Sequence, residues 1–268
     1  MRREAAMTAG EAGTAGEAGK AGEAGEEHRR LVLDAPPSGP VRGAVLLLPG
    51  GRADGHSRPA RFGPTVLRML PFRSAIRSAT AGHAVVTGIV RYRHRGWNGR
   101  HEDPVRDTEA ALDRLAGRLG PVPVVLVGHS MGGRAALRAA GHPAVTGVVA
   151  LAPWCPPRDP VPALPDVRTV IVHAERDRVT DPAASAALAA RARRAGTPVC
   201  RLVLAGGDHA MLRQAGTWHR TTAAVTAGLL GTAPLPPPVA HALTEGPDSP
   251  SGLAIALPRR ATPWPPRA

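Results

Sequence analysis

Aromatic side chains are scarce, since Phe, Trp and Tyr together make up 3% of the sequence, with one Tyr and two Phe. A hydrophobic fraction of 43% still supplies a core, which must be built largely from Ala, Val and Leu. Proteins that bind single-stranded nucleic acid stack its bases on aromatic side chains, and this composition offers few such platforms. The shortage therefore argues against a nucleic-acid-binding role that depends on stacking.

Lysine is nearly absent, because Lys20 is the only one among 34 basic residues, and 21 acidic residues leave a net charge of +13. A charge of this size normally suggests nucleic acid or an anionic membrane as a partner. Arginine, alanine, glycine and proline share GC-rich codons, however, and the arginines are spread over the whole chain. We therefore attribute much of the excess to genome composition and expect no nucleic-acid partner and no membrane partner.

Cysteine is limited to Cys155 and Cys200, too few for a disulfide framework, and neither lies in a CxxC motif. No apolar run approaches the roughly 20 residues that a transmembrane helix needs. The N-terminal segment MRREAAM also lacks the apolar core of a signal peptide. These absences predict reduced thiols, no metal site, and a soluble protein of the cytoplasm.

The length fits one full-sized α/β domain and is too short for two ordinary domains with their connections. Residues 1–28 repeat AGEAG units with almost nothing to bury, which predicts a disordered tail. Residues 232–268 are rich in proline, a composition that favours extended polyproline-type chain, so a second disordered tail is predicted there. The catalytic domain should therefore cover residues 29–231.

Short apolar runs rich in Val, Leu and Ile recur through this domain and mostly do not alternate with polar residues. This pattern is typical of strands that are covered on both faces. Helical patterns lie between the runs, with helix starts marked by the Asp-Pro pairs at Asp103 and Asp181. The alternation predicts a doubly wound, mostly parallel α/β sheet with functional groups at the carboxyl ends of its strands. The predicted strands are Ala44–Leu48, Ala84–Val90, Val122–Val127, Val145–Leu151, Val167–Val172 and Val199–Leu204.

The clearest chemical motif is GHSMG at residues 128–132, which directly follows an apolar strand and precedes a helix. A G-x-S-x-G motif in this setting is typical of a nucleophile elbow, in which the serine occupies a strained turn. Side chains in place of Gly128 or Gly132 would collide with the neighbouring strand and helix. The N-terminus of the following helix directs free N–H groups at the reacting centre. Ser130 is therefore the predicted nucleophile.

A serine hydroxyl needs a base, and the base needs an acid that orients it. His209 lies in the Gly-rich loop GGDHAM before the terminal helix, and no other histidine of the sequence has the loop position that a base requires. Asp177 follows a predicted strand and is the preferred acid. Asp181 and Glu175 compete for this role, although Asp181 precedes a proline and suits helix capping better. The chain order Ser130, Asp177, His209 is the order in which such sites occur.

Two N–H groups should stabilise the negative charge that develops on the substrate carbonyl oxygen. Met131 supplies one of them, because it follows the nucleophile. The second is expected from the loop LPGGR at residues 48–52, where Gly51 is the preferred donor and Arg52 is the alternative. The other interpretation of this loop is an ordinary glycine turn.

A basic loop with the sequence RYRHRGWNGR follows another predicted strand. Arg95 and Trp97 of this loop, together with Arg52, are candidates for substrate binding. The arginines would attract an anionic group, and Trp97 would form an apolar wall. The alternative, which we favour, is that Arg91 and Tyr92 pack structurally while the other arginines are solvated.

With these motifs, most of residues 41–231 resembles the α/β-hydrolase superfamily, specifically small serine-dependent members similar to dienelactone-hydrolase-like esterases. Dienelactone hydrolases proper carry cysteine at the elbow, where this chain has Ser130, and the common His-Gly of the oxyanion loop is Pro49-Gly50 here. Many relatives insert a helical cap where this chain has only the proline-rich residues 152–166. The resemblance therefore implies an α/β-hydrolase fold without a cap domain.

These residues together predict a serine hydrolase that cleaves a carboxylic ester or thioester of modest size. Ser130 would attack the carbonyl carbon, His209 would accept the serine proton, and Asp177 would hold the imidazole in the required tautomer. Water would then release the acyl-enzyme, so no cofactor is expected and the partner is a small-molecule substrate. Two alternatives stay open: acyl transfer to an alcohol or amine by the same residues, and a non-catalytic protein that retains the fold for binding.

Overall fold

One eight-stranded sheet forms the centre of the protein in the computed structural model, which describes residues 31–35, 39–161 and 163–258. The strand order is β1-β3-β2-β4-β5-β6-β7-β8, with β1 antiparallel to β3 and the remaining described pairs parallel. The predicted mostly parallel sheet is therefore confirmed. The strands are β1 Leu31–Leu33, β2 Gly43–Leu48, β3 Val85–Val90, β4 Val124–His129, β5 Val145–Leu151, β6 Arg168–Ala174, β7 Val199–Leu204 and β8 Ile255–Leu257.

Helices cover both faces of this sheet, as expected for a doubly wound fold. One buried cluster joins one face to α2, α3 and α4, and a second cluster joins the other face to α1, α5 and α6. The central strands are therefore enclosed on both sides, which explains why their sequences are apolar throughout. The helices are α1 Pro64–Ala79, α2 Asp103–Leu119, α3 Met131–Arg138, α4 Pro182–Arg194, α5 Ala215–Leu229 and α6 Pro237–Leu243.

All six predicted strands form, and none of their ends differs by more than two residues from the expected position. The two predicted helix starts differ from each other. Asp181 caps α4, since its Oδ1 accepts the backbone N–H of Ala183 at 2.8 Å. Asp103 instead lies within the first turn of α2, where its carboxylate accepts a hydrogen bond from Asn98 Nδ2 at 2.8 Å.

Helix α1 was not indicated by the sequence pattern. It contains Pro71 in its interior, and Leu67 and Leu70 on its surface are exposed, so no clean apolar stripe marks it. Its buried face consists of Met69, Phe72 and Ile76, which pack against the sheet. Packing against the sheet therefore stabilises a helix that its own sequence barely specifies.

The prediction of a disordered tail from residue 232 onward is wrong for residues 232–258. Helix α6 packs on the sheet, and β8 pairs in parallel with β7. Two buried arginines connect this segment to the rest of the domain. The guanidinium of Arg193 donates to the carbonyl oxygen of Ala242 at 2.9 Å. The backbone N–H of Arg201 donates to the carbonyl oxygen of Gly252 at 2.8 Å. Residues 259–268 lie outside the described part of the chain, as does the tail predicted at residues 1–28.

The connection between β5 and β6 contains no helix or strand in its described part, residues 152–161 and 163–167. The predicted absence of a cap domain is therefore confirmed. None of the described helices is both long enough and apolar enough to span a membrane.

Candidate active site

Ser130 occupies the sharp turn between β4 and α3, with φ 56° and ψ −118°. This conformation is costly for a residue with a side chain and needs support from its surroundings. The support comes from the backbone: the N–H of Ser130 donates to the carbonyl of Leu151 at 3.0 Å, and its own carbonyl accepts the N–H groups of Arg134 and Trp154 at 3.1 Å each. The strained serine is thus held between β5, the first turn of α3 and the segment after β5.

The glycines on either side of Ser130 are sterically required, as the sequence predicted. A Cβ atom at Gly128 would overlap the backbone of Gly132 and Gly133 at the start of α3. A Cβ atom at Gly132 would overlap the backbone at the end of β2, where the carbonyl groups of Leu48 and Pro49 lie. The motif therefore allows the strand and the helix to approach closely enough to expose the serine between them.

The side chains of Ser130, His209 and Asp177 form one hydrogen-bonded line. His209 Nε2 lies 3.1 Å from Ser130 Oγ, and His209 Nδ1 lies 2.7 Å from Asp177 Oδ2. The His209 side chain is 16% exposed, whereas that of Asp177 is 0% exposed. The imidazole thus connects the half-buried Ser130 to a carboxylate that has no solvent contact.

Asp177 is held as a carboxylate. Burial by itself raises the pKa of this group, but hydrogen bonds from His173, His209 and the backbone N–H groups of Thr180 and Val179 outweigh burial and place the pKa well below its usual range. The backbone groups of Val179 and Thr180 donate to Oδ1 at 2.8 and 3.0 Å, and the Thr180 hydroxyl donates to Oδ2 at 3.0 Å. An ionised Asp177 accepts only, so the Nδ1 of His209 must carry the hydrogen.

The rival acids occupy other environments. Asp181 is exposed and caps α4, and Glu175 is exposed at the end of β6. Of the three candidate acids, the structure brings Asp177 alone into hydrogen-bond contact with His209.

The side chain of His129 contacts the backbone of the loop that carries His209. Its Nε2 lies 2.9 Å from the backbone carbonyl oxygen of His209, and since a carbonyl accepts only, Nε2 carries the hydrogen. The pKa of His129 is lowered to about 3, mainly by burial and also by the positive charges of protonated His209 and of Arg68, which outweigh the hydrogen bond to His209 and the charge of Asp177. Sequence reasoning placed His129 within the elbow and assigned it no role.

Arg68 is the second residue that sequence reasoning missed. It lies on α1, and its guanidinium donates to the backbone carbonyl of Ala210, the residue after His209. No local signal could have found it, because α1 was not indicated by the sequence and the contact joins residues 142 positions apart.

The two predicted oxyanion donors belong to different elements. Met131 is the first residue of α3, where an N–H has no intrahelical partner. A Cβ atom at Gly51 would overlap the side chain of Met131 and would lie 2.6 Å from the carbonyl oxygen of Arg95, so this position needs glycine. The backbone N–H of Arg52, the alternative donor, is already donated to the carbonyl of Arg95 at 2.9 Å. Gly51 therefore stays the predicted second donor.

The substrate-binding candidates are divided by their burial. Trp97 is 2% exposed and packs against the guanidinium of Arg134, 3.7 Å from the ring centre. The prediction that Trp97 forms a wall of the site is therefore wrong, because the ring is part of the core. Arg52 and Arg95 are exposed and stay candidates, and Tyr92 is buried, as the structural interpretation of the loop expected.

One group of side chains resembles a metal site. Potential ligand atoms of His56, His94 and Asp103 lie within 4.8 Å of one another. Asp103 is already engaged, however, by Asn98 and by Arg93, whose guanidinium lies 3.5 Å from its carboxylate. A positive charge against the only carboxylate makes the group unfavourable for a cation, and the absence of a metal or cofactor from the reaction stays a prediction.

Both cysteines are free thiols buried in the core. Burial raises the pKa of Cys155 to about 12, with a contribution from Asp159, and raises that of Cys200 to about 12 as well. Neither thiol therefore competes with Ser130 as a nucleophile, because the reactive form of cysteine is the thiolate.

A protein-family model described as serine aminopeptidase, S33, matches residues 82–168. The matched region runs from the start of β3 through the elbow to the start of β6, so it contains Ser130 but neither Asp177 nor His209. The comparison with curated proteins gives no match.

Solved structures with the same fold share little sequence with this chain. A serine hydrolase without a lid from Xanthomonas campestris is 14% identical with a TM-score of 0.54, covering 72% of this chain and 85% of its own. A thermophilic esterase from Thermogutta terrifontis, solved with butyrate, is 17% identical with a TM-score of 0.57, covering 75% and 88%. A serine hydrolase homologue from Coxiella burnetii is 15% identical with a TM-score of 0.52, covering 72% and 89%. At this identity the similarity establishes the fold, which is the α/β-hydrolase fold without a cap domain.

Proposed function

We propose that the protein is a serine-dependent hydrolase that cleaves carboxylic esters or thioesters through an acyl-enzyme intermediate. The observation that carries this proposal is the line of hydrogen bonds from Ser130 Oγ through the imidazole of His209 to the carboxylate of Asp177, with distances of 3.1 and 2.7 Å. A nucleophile, a base and an orienting acid in this geometry are the groups that acyl transfer needs. Fold alone does not establish such an activity, and the proposal depends on the site.

In the first half of the reaction, Ser130 Oγ attacks the carbonyl carbon as His209 Nε2 accepts the hydroxyl proton. The negative charge moves to the carbonyl oxygen, where the N–H groups of Met131 and Gly51 stabilise it. When the tetrahedral intermediate collapses, the bond to the alcohol or thiol breaks, and the proton on His209 goes to the leaving group. The acyl group is then bonded to Ser130.

In the second half, water takes the place of the alcohol. His209 accepts a proton from the attacking water, the acyl bond to Ser130 breaks, and the proton returns to Ser130 Oγ. Asp177 stays ionised throughout and stabilises the imidazolium that forms in each half. His209 thus passes on each proton that it accepts, first to the leaving group and then to Ser130 Oγ, and the cycle balances without an oxidant.

The surroundings of Ser130 support a substrate of modest size. The described part of the segment after β5 contributes no helical cap. Val179, two residues after Asp177, and Leu212, three residues after His209, are both exposed. The Thermogutta esterase was solved with butyrate, a short acyl group. We therefore expect short acyl chains to be preferred over long ones.

The experiment that tests this proposal combines covalent labelling with a substrate panel. The full chain is treated with a fluorophosphonate probe and assayed on p-nitrophenyl esters and acyl thioesters of two to twelve carbons. We expect one label per chain, located at Ser130, and hydrolysis of the short substrates. Product analysis in the presence of an added alcohol separates hydrolysis from acyl transfer.

The matched control uses two serine variants. Ser130→Ala should lose both the label and hydrolysis, whereas Ser74→Ala, on the exposed surface of α1, should retain both. Labelling of Ser130→Ala at the wild-type rate, or no labelling and no hydrolysis by the wild-type protein, would show that the proposal is wrong.

A further inference from the structure

His173 is a fully buried polar side chain to which the mechanism above assigns no role. It lies in β6, four residues before Asp177, and its side chain is 0% exposed. Its Nδ1 lies 2.8 Å from Ser185 Oγ on α4, and its Nε2 lies 3.4 Å from Asp177 Oδ2 and 3.3 Å from Thr180 Oγ1. His173 thus contacts the same carboxylate oxygen as His209 does.

The contact with Asp177 favours a hydrogen on the Nε2 of His173. Asp177 is ionised and accepts only, so a lone pair on Nε2 would face negative charge, whereas an Nε2–H would donate to it. In the neutral imidazole Nδ1 then has the lone pair, which competes for the single hydroxyl hydrogen of Ser185 with the carbonyl oxygen of Pro182, 2.9 Å from Ser185 Oγ. Ser185 Oγ in turn accepts the Nε–H of Arg201 at 3.1 Å, and a guanidinium is always a donor.

We propose that His173 is a positioning residue, whose Nε2–H, oriented by Ser185 and Arg201, holds the carboxylate of Asp177 in the orientation that His209 requires. This inference rests on the proposed function, because it concerns the orientation of the predicted acid. The hydrogen-bonded line of the active site thus continues beyond Asp177 through three more side chains, those of His173, Ser185 and Arg201.

The position of the contact explains how His173 acts. Backbone N–H groups of Val179 and Thr180 occupy Oδ1 of Asp177, and the Thr180 hydroxyl lies at Oδ2 beside His209. His173 approaches Oδ2 as well, so the carboxylate has donors on both oxygens and cannot rotate without losing several of them. His173 adds to this restraint, because its Nε2 lies on the same carboxylate oxygen that His209 contacts.

The first test compares His173→Leu with His173→Gln in the full chain. Leucine removes the donor, whereas the glutamine amide places an N–H near the position of Nε2. We expect His173→Leu to lower kcat about 10- to 100-fold, the loss expected when a hydrogen bond to a charged group is removed. KM should change much less, because His173 does not touch the substrate, and His173→Gln should recover most of kcat.

The pH profile of kcat/KM separates positioning from a merely structural role. The groups that face His209 are Asp177, Ser130, the ring of His129 at 4.8 Å between centroids, and Arg68 on the carbonyl of the next residue. All of these are retained in the variants. A carboxylate with fewer donors attracts the proton of the imidazolium more strongly, so the acid limb in His173→Leu should move to higher pH. A limb that does not move, with a loss of kcat that equals the loss of folded protein, would overturn the proposal.

A second measurement does not depend on activity. In Ser130→Ala protein labelled with nitrogen-15, the ring nitrogens of His173 should report hydrogen on Nε2 and a lone pair on Nδ1 at neutral pH. Hydrogen on Nδ1 would contradict the proposed direction of the contacts. Ser185→Ala should weaken the preference for this tautomer, because Nδ1 loses its donor.

The control is a second histidine with a carboxylate neighbour. His142 Nε2 lies 3.1 Å from Asp113, whose side chain is exposed, and His142→Gln should leave kcat and the pH profile unchanged. The outcomes also separate the role of His173 from the proposed hydrolase function. A wild-type protein without labelling or hydrolysis contradicts the proposed function, whereas an active wild type with an equally active His173→Leu variant contradicts the role of His173 alone.

Discussion

Two segments that follow the carboxyl ends of β5 and β7 differ in the contacts of their side chains. The segment after β5, residues 152–161, has backbone contacts too, such as that of the Trp154 N–H with the Ser130 carbonyl, but it also has a side-chain lock. In this lock Arg134 donates two hydrogen bonds of 2.6 Å to Asp159. The rings of Trp97 and Trp154 lie against the same guanidinium, at 3.7 and 4.4 Å from their centres. We call residues 152–161 the closed segment.

The segment after β7, residues 205–214, is held by its backbone. Three of its backbone carbonyl oxygens accept hydrogen bonds from side chains. The carbonyl of Ala205 accepts from Gln214 Nε2 at 2.6 Å. The carbonyl of His209 accepts from His129 Nε2, and the carbonyl of Ala210 accepts from Arg68. We call residues 205–214 the reactive segment. Backbone contacts fix the path of this loop and leave the imidazole of His209 available, whereas the lock of the closed segment consumes the side chains that form it.

The largest effect should come from the acid that serves the reactive segment. Asp177→Asn retains the shape of the side chain but no longer favours the required tautomer of His209, so kcat should fall by up to about 10⁴-fold. The protein should stay folded at neutral pH, as circular dichroism and thermal unfolding would show. Asp181→Ala is the control, since it should cost about 1 kcal/mol of stability through the lost cap with little change in kcat. The reverse pattern would reassign the acid.

Breaking the side-chain lock of the closed segment should mainly lower the free energy of unfolding. Arg134→Met leaves the carboxylate of Asp159 buried without its partner, and breaking a buried pair in this way costs about 3–5 kcal/mol. Urea unfolding measures this loss. The double variant Arg134→Met/Asp159→Leu should recover most of it, because neither charge is then left unpaired. A double variant as unstable as Arg134→Met would mean that the stacked tryptophan rings, rather than the ion pair, form the lock.

A smaller effect should come from His129, which tethers the reactive segment. Its pKa is lowered to about 3 in the folded protein, while an unfolded histidine titrates near pH 6.5, so only the unfolded state gains the proton between these values. The stabilising contribution of neutral His129 is therefore fully present above about pH 6.5. Below that pH the free energy of unfolding falls by about 1.4 kcal/mol per pH unit, which amounts to about 2 kcal/mol at pH 5. Thermal unfolding of wild type and His129→Gln from pH 7 to 5 measures the difference. Equal pH slopes in the two proteins would contradict the assignment.

The smallest effect concerns the substrate. Because the closed segment provides no cap, added methylenes of an acyl chain should stay partly in water and gain less than the about 0.8 kcal/mol of a fully buried methylene. The dependence of kcat/KM on chain length should therefore be shallow, with less than about a fourfold change per carbon. A steep rise from four to twelve carbons would show that another segment closes over Ser130.

The sheet and the elbow were predictable because their signals are local. An apolar run flanked by turn residues indicates a covered strand wherever it occurs, and GHSMG between such a run and a helix specifies the turn at Ser130. The C-terminal segment was not predictable in this way. Its prolines indicated extended chain, whereas Pro237 begins α6 at a position where a missing N–H costs little. The carbonyl partners of Arg193 that hold this segment lie about fifty residues away along the chain.

The sequence by itself determined the alternation of strands and helices, the strained position of Ser130, and the order of nucleophile, acid and base along the chain. Tertiary structure decided which acid lies beside His209, that the N–H of Arg52 is already donated, that Trp97 is buried under Arg134, and that a second imidazole, His173, contacts Asp177. The reason is physical. Strain and periodicity depend on neighbouring residues, whereas hydrogen-bond partners and burial depend on which distant elements the sheet brings together.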